Sequence, residues 1–381
     1  MSGVPFGACS GFRAGRIMKQ SERLMSLDAL RGFDMLFIMG FASFVVAVCG
    51  LWPSADAAAA SMSHVAWDGF AHHDTIFPLF LFIAGVSFPY SVAKQRAGGM
   101  SEGRIYAKIV RRGLTLVVLG MVYNGLFKLD FENLRIASVL GRIGLAWSIA
   151  AVLYLNFGVK TRAAIAVAVL AGYGALSALV AAPDAAGAGP LTFEGNLAGY
   201  IDRQFLPGKL IYGSFDPEGL LSTVPAVVTA MLGMFTGEFV RRGDIRGGRK
   251  TLWMAAAAAA LLAAGLAFSG VLPVNKKLWS STFVCVVGAY SLGMFALFYY
   301  LIDVRGWRRW TLFFRVVGLN SITIYLAQRI VGFGRISDFF LGGIASKCPE
   351  AVAAVISSAG YVAVCWLFLY FLYRKNVFLK V

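Results

Sequence analysis

Ten stretches of this chain are each near the roughly 20 apolar residues that a helix needs to cross a bilayer. They lie near 30–51, 76–94, 109–127, 137–157, 162–182, 220–240, 251–271, 280–302, 312–333 and 351–373. Lipid offers no partner to a backbone amide, so only helices or a closed barrel can span it. The stretches lack period-2 alternation, which selects helices. The composition agrees, with 59% hydrophobic and 14% charged residues, against about 25% charged in soluble domains. The expected fold is an all-α polytopic membrane protein of about ten transmembrane helices. A Gly-, Ser- and Arg-rich tail, 1–22, precedes a single transmembrane domain, 23–381. No apolar stretch precedes Leu24, so a cleaved leader is not expected. Cys9, Cys49, Cys285, Cys348 and Cys365 are scattered, which argues against a disulfide framework or a zinc site.

The net charge of +16 would suit nucleic acid, but its distribution points elsewhere. Lys and Arg crowd alternate loops: Arg13 to Arg31, Lys94 to Arg112, Lys160 and Arg162, Arg241 to Lys250, Arg305 to Arg315, and Arg374 to Lys380. The intervening loops are poor in both. By the positive-inside rule the basic loops and both termini are cytoplasmic. The loop between the first two spans then faces outward, and no nucleic-acid partner is expected.

That outward loop holds all three histidines. His64-Val-Ala-Trp67-Asp68-Gly-Phe70-Ala-His72-His73-Asp74-Thr-Ile-Phe-Pro78 runs straight into an apolar span. Imidazole titrates near neutrality, so His64 can take a proton from an attacking amine or hydroxyl, or act as the nucleophile itself. It can equally be an interfacial histidine among aromatics. Trp67 and Phe70 would supply a desolvating wall and a sugar-stacking face. His72 and His73 read as interfacial or as lining the site. The 64, 72, 73 spacing is not a metal-ligand pattern, so no metal is expected. Asp74 either caps the second span or orients a histidine.

Other polar residues interrupt the apolar pattern. Asp28 and Arg31 are an i, i+3 pair at the start of the first span. Arg142 falls inside the fourth span, where an arginine faces a cavity or a carboxylate. Asp216-Pro217-Glu218-Gly219 opens the sixth span, with Asp216 a capping candidate. Asn275, Lys276 and Lys277 form a short outer turn before Trp279. Asn320, Ser321 and Tyr325 interrupt the ninth span as helix glue or cavity lining. The alanine run 255–260 reads as a closely packed small-residue helix. The long outer loop 183–219 reads as a cap or gate.

Taken together and in order, these stretches resemble the heparan-alpha-glucosaminide N-acetyltransferase family. The resemblance rests on Arg23-Leu-Met-Ser-Leu-Asp28-Ala-Leu-Arg31-Gly32, the His64–Gly69 and Asp74–Pro78 segments, and Arg135-Ile136 with Val139–Gly144. It continues through Asp216–Thr223, Pro273–Ser280 and Gly318–Ser321 with Tyr325. It implies a transmembrane acyltransferase that takes acetyl from cytoplasmic acetyl-CoA and delivers it to the amine of a glucosamine-like sugar on the outer face. His64 matches the family's catalytic histidine, with Asp74 beside it. The acceptor site would draw on Trp67, Asp68, Asp216, Glu218, Asn275, Lys276, Trp279, Asn320, Ser321 and Tyr325. The donor site would draw on Asp28, Arg31, Arg111, Arg112, Arg142 and Arg241. The chain departs from the animal enzymes at Ala42, where they carry an asparagine, and at Gln328, where they carry a histidine. The expected partners are membrane lipid, acetyl-CoA and an amino-sugar acceptor, with a homodimer left open. The expected location is the inner membrane of a bacterium. An amino-sugar or oligosaccharide transporter is the rival reading, since a polar cavity with Arg142 and Asn320 would serve it too.

Overall fold

The computed structural model describes residues 24–379, so the tail 1–22 lies outside the described residues. Helix α1 (Met25–Leu36) passes through a π-helical turn, Phe37–Phe41, into α2 (Ala42–Cys49). Gly40 sits in that turn at φ 114°, a conformation costly to any other residue. The first expected span is therefore one kinked element. A short α3 (Asp56–Ser61) leads to the histidine loop and then α4 (Ile76–Ala97). Next come α5 (Glu102–Tyr123), α6 (Val139–Asn156), α7 (Val159–Leu179) and, within the long loop, α8 (Leu197–Phe205). Then follow α9 (Leu220–Arg241), α10 (Gly247–Phe268) and α11 (Ser281–Phe298), whose last turns widen into a π segment, Tyr299–Val304. The chain ends with α12 (Thr311–Leu319), α13 (Ser321–Ile330), α14 (Phe333–Ala345) and α15 (Glu350–Arg374). Among the described residues there is no strand, only two isolated bridges, Arg135 with Gly208 and Ala181 with Asn196.

Eight of these helical segments are long and apolar enough to cross a membrane. Two expected spans differ from the simple pattern. The third is α5, whose first half carries Arg104, Lys108, Arg111 and Arg112. The ninth is broken at Asn320 into α12 and α13, because Asn320 leaves helical geometry at φ −119°, ψ 25°. Helix α14 was not foreshadowed by hydropathy; it is amphipathic and turns Phe339 and Phe340 outward while Phe333 and Ser337 are buried.

Helices α4 and α9 form the centre. About two thirds or more of their apolar windows is buried (67% and 72%), against 17% for α7, α10 and α15 at the periphery. Their axes approach closely because Gly85 and Gly233 meet backbone: a methyl at Gly85 would strike the Ala230 carbonyl, and one at Gly233 the Phe82 carbonyl. Small residues at helix crossings are how membrane helices gain van der Waals contact without help from water. Gly32 of α1 and Gly318 of α12 make a second such crossing. The alanine run in α10 does not behave this way. Of residues 255–260 only Ala258 is buried, and it packs with Met254 in the cluster that holds Phe295; the others face outward.

The helices alternate in direction, so the bundle has two chemically distinct ends. One gathers Arg31, Arg112, Arg162 and Arg241; the other gathers the histidine loop, Arg135, Asp216 and the turn before α11.

Candidate active site

The histidine loop is held by the turn 273–280. The Gly69 amide donates to the Val274 carbonyl at 2.8 Å, and Asn275 Nδ2 donates to Asp68 Oδ1 at 3.0 Å. Lys277 reaches the Ala66 carbonyl. The turn is itself fixed from within. Asn275 Oδ1 accepts from the Leu278 amide at 2.9 Å, Ser280 Oγ donates to the Pro273 carbonyl at 2.8 Å, and buried Trp279 sits at positive φ. Trp67 is held from the other side. Its Nε1 donates to the Leu191 carbonyl at 2.9 Å, and its ring packs against Phe193 and Phe215. The long outer loop thus covers Trp67, which leaves its face less open to a sugar than the sequence suggests.

Within this frame His64 Nδ1 lies 2.7 Å from Asp74 Oδ1. Asp74 is buried, and its other oxygen accepts from the Ala71 amide at 3.3 Å and the Val65 amide at 3.5 Å. Its carboxylate therefore orients a histidine. Lys276 Nζ lies 2.9 Å from His64 Nδ1 and 3.2 Å from Asp74 Oδ1. Burial pushes the Lys276 ammonium down from its ordinary value, while Asp74 and Glu218 pull it back up. With Nδ1–H donating to Asp74, Nε2 is the basic nitrogen, and Lys276 Nζ lies 3.4 Å from it. The side chain is 53% exposed, so a substrate can reach the ring.

A second polar cluster adjoins the first. Arg135 donates to Asp216 through Nε at 2.7 Å and Nη2 at 2.6 Å, and Nη2 also reaches Glu218. Burial pulls the Arg135 guanidinium down, yet the two carboxylates hold it above its ordinary value. Asp216 does not cap α9. The cap position is Gly219, and Asp202 of α8 takes the Leu220 amide at 2.9 Å and the Asp216 amide at 3.3 Å. Burial pushes the Asp202 carboxyl up to about 6, against the pull of those two amides. Arg142, one turn into α6, is buried; it donates to Ser222 Oγ and stacks 5.0 Å over Trp279, with Nε and Nη1 lacking partners. Glu218 and Asp216 bear on it electrostatically. Arg142 thus lies among the residues of the histidine end.

The ninth-span residues divide. Tyr325 stacks on Tyr123 with centroids 4.5 Å apart, and Arg329 covers Tyr123 at 4.6 Å. Ser321 Oγ bonds back to the Gly318 carbonyl at 2.9 Å and the Val317 carbonyl at 3.4 Å, as helix glue does. Asn320 is buried with both amide atoms unpartnered. Gln328 donates to the Tyr361 hydroxyl at 2.9 Å and does not join His64. Ala42 is buried beside Phe37 and Ile76.

At the opposite end, Asp28 and Arg31 pair at 3.6 Å, and Arg31 reaches Ser87 at 3.5 Å. Arg112 stacks over Trp147 at 4.3 Å, near enough to Arg31 for the two charges to repel. Arg241 lies 5.7 Å over Tyr90. Arg111 is exposed on the other flank of α5 with Val110, Leu114 and Val118, apart from Arg112.

Arg135 and Asp202 were not singled out as site residues from the sequence. Arg135 entered only as part of a stretch that carries the resemblance, and the signal for Asp202 was its place in an outer loop poor in charge. Asp34 stood out in the sequence only as a third polar residue at the start of the first span, beside Asp28 and Arg31, and nothing local marks Tyr290.

Fold and site define a class: an all-helical polytopic membrane protein with a buried carboxylate orienting an exposed histidine at one end and an arginine cluster at the other. The family model for the heparan-alpha-glucosaminide N-acetyltransferase catalytic region matches residues 23–270, and the chain belongs to that family. It is 27% identical to the human heparan-alpha-glucosaminide N-acetyltransferase over 96% of this chain and 61% of the human protein. It is 26% identical to the mouse enzyme over 84% of this chain and 56% of that protein. The chain thus spans about three fifths of the length of these relatives.

Proposed function

We propose that this chain is a transmembrane N-acetyltransferase, carrying acetyl from acetyl-CoA to the amine of a glucosamine-like sugar. The observation that carries the reading is the His64–Asp74 pair at 2.7 Å on a half-exposed imidazole, in a chain of this family. The amine nitrogen attacks the thioester carbon, and His64 Nε2 takes the proton it sheds. Asp74 stabilises the imidazolium and fixes the ring, a task typically worth about 10²–10⁴-fold in rate together with the base. The C–S bond then breaks with its electron pair on sulfur, and the CoA thiolate takes a proton. Transfer is direct, without an acetylated histidine. Arg135, Glu218, Arg142 and Lys276 supply donors and acceptors of both signs for sugar hydroxyls beside that base.

Arg31 and Arg112 hold the CoA phosphates. Two guanidiniums placed together favour a polyanion, and Arg112 Nε is buried without a partner. The basic end is cytoplasmic, in the inner membrane of a bacterium, by the distribution of Lys and Arg. The test is release of CoA by the purified protein with a panel of amino sugars. The expected outcome is acceptor-dependent release that falls about 10²–10⁴-fold in His64→Ala, with acetyl-CoA affinity kept. Equal release in the variant would remove His64 from the reaction.

A further inference from the structure

Asp34 is a carboxyl buried inside the bundle. It is 2% exposed, it lies one turn beyond Arg31 on α1, and its Oδ2 has no hydrogen-bond partner. An intramembrane carboxyl is expensive and by default functional. Such a buried carboxyl can hold a proton and pass it on. Asp34 is close enough to Tyr290 of α11 to bear on its phenol electrostatically. The Tyr290 hydroxyl lies 3.1 Å from His72 Nε2. The His72 ring packs on Phe37 at 4.5 Å, and its Nδ1 is buried and unpartnered. Beyond it, the His73 ring touches that of His64 at 4.5 Å. A row of proton-bearing groups therefore leads inward from the candidate base.

The row lies where the other half of the reaction needs it. On the reading proposed above, on which this inference rests, the donor enters from the Arg31 and Arg112 end while the amine meets His64 at the other. On that reading the thioester carbon would lie between them, with its sulfur toward the inner side. The leaving thiolate is thus expelled into the apolar interior, where an unpaired anion is costly. His64, on the amine side, faces the nitrogen.

We propose that Tyr290, held by His72 and backed by Asp34, is the acid that protonates the leaving CoA sulfur. As the C–S bond breaks, the electron pair stays on sulfur and the Tyr290 O–H gives it a proton, forming the thiol. The phenolate recovers a proton from the Asp34 carboxyl. Asp34 regains a proton from solvent, to which His64 returns the one it took from the amine. Base and acid are then separate groups on opposite sides of the acyl carbon, as proton chemistry at two atoms requires.

The test varies the leaving group. Purified wild type, Tyr290→Phe, Asp34→Asn and His64→Ala are compared with acetyl-CoA and with the acetyl thioester of 4-nitrothiophenol, whose thiolate leaves without a proton. With acetyl-CoA, Tyr290→Phe and Asp34→Asn should each lose about 10²-fold in kcat with KM little changed. With the aryl thioester both should match wild type, while His64→Ala stays impaired. Equal losses with both donors, or a raised KM with unchanged kcat, would overturn the proposal and make these residues lining. Should Asp34→Asn fail to fold, Tyr290→Phe alone decides between the two outcomes. If wild type transfers acetyl from neither donor, the acetyltransferase reading itself has failed, and this inference falls with it.

Discussion

Lys276 and His64 are 212 positions apart in sequence, yet their nitrogens lie 2.9 Å apart. Nδ1 carries one proton site, so it cannot donate to Asp74 and accept from Lys276 at once. Glu218 and Arg142 bear on Lys276, and His73 touches His64, completing the charged surroundings. Replacing Lys276 by Met removes a charged contact to both His64 and Asp74. kcat/KM should then fall about tenfold, the scale of a lost charge-assisted hydrogen bond. Lys276→Arg keeps the charge and should lose less. A Lys276→Met variant with wild-type kcat/KM would show that the lysine only anchors the loop. The turn 273–280 was legible as polar and aromatic, but its contact with His64 was not, because that pairing is made by chain reversal across several helices.

At the scale of elements, sequence and structure part where a local rule met a tertiary competitor. Asp216-Pro217 reads as a cap, since Asp and Pro are favoured at a helix start. Arg135 claims the Asp216 carboxylate instead, and Asp202 takes over the amide of Leu220. No local pattern marks Asp202, because its partners come from the next helix. Similarly, the alanine run reads as a tight crossing, but the close crossings are at Gly85 with Gly233 and Gly32 with Gly318. Asp202 yields a pH prediction. Its folded-state pKa, about 6, is above the ordinary value of 3.8. Between those values the folded protein holds a proton that the unfolded chain has lost. Its contribution to stability is thus present below about pH 4 and is lost as pH rises through about 6. The Tm of wild type minus that of Asp202→Asn, in detergent, should fall over that window. A flat difference would mean that the carboxyl stays ionised throughout.

For the whole molecule, the helical class, the membrane setting and the family were all readable, because hydropathy and motif order need no tertiary information. The kink at Gly40 and the break at Asn320 were not, since both depend on neighbours. Sidedness rests on the alternation of basic loops. A tag inserted after residue 62 should react from outside intact cells, and one after residue 100 should not. The reverse pattern would turn the bundle over and place His64 with the cytoplasm.

The central claim is that acetyl crosses the bundle to an amine at His64. The direct measurement uses purified protein in sealed vesicles of one orientation, with acetyl-labelled CoA on the basic face and glucosamine on the other. The account predicts labelled N-acetylglucosamine on the histidine face and free CoA on the basic face, with both lost in His64→Ala. Glucosamine crossing unacetylated, at equal rates in wild type and variant, would contradict it and describe a transporter.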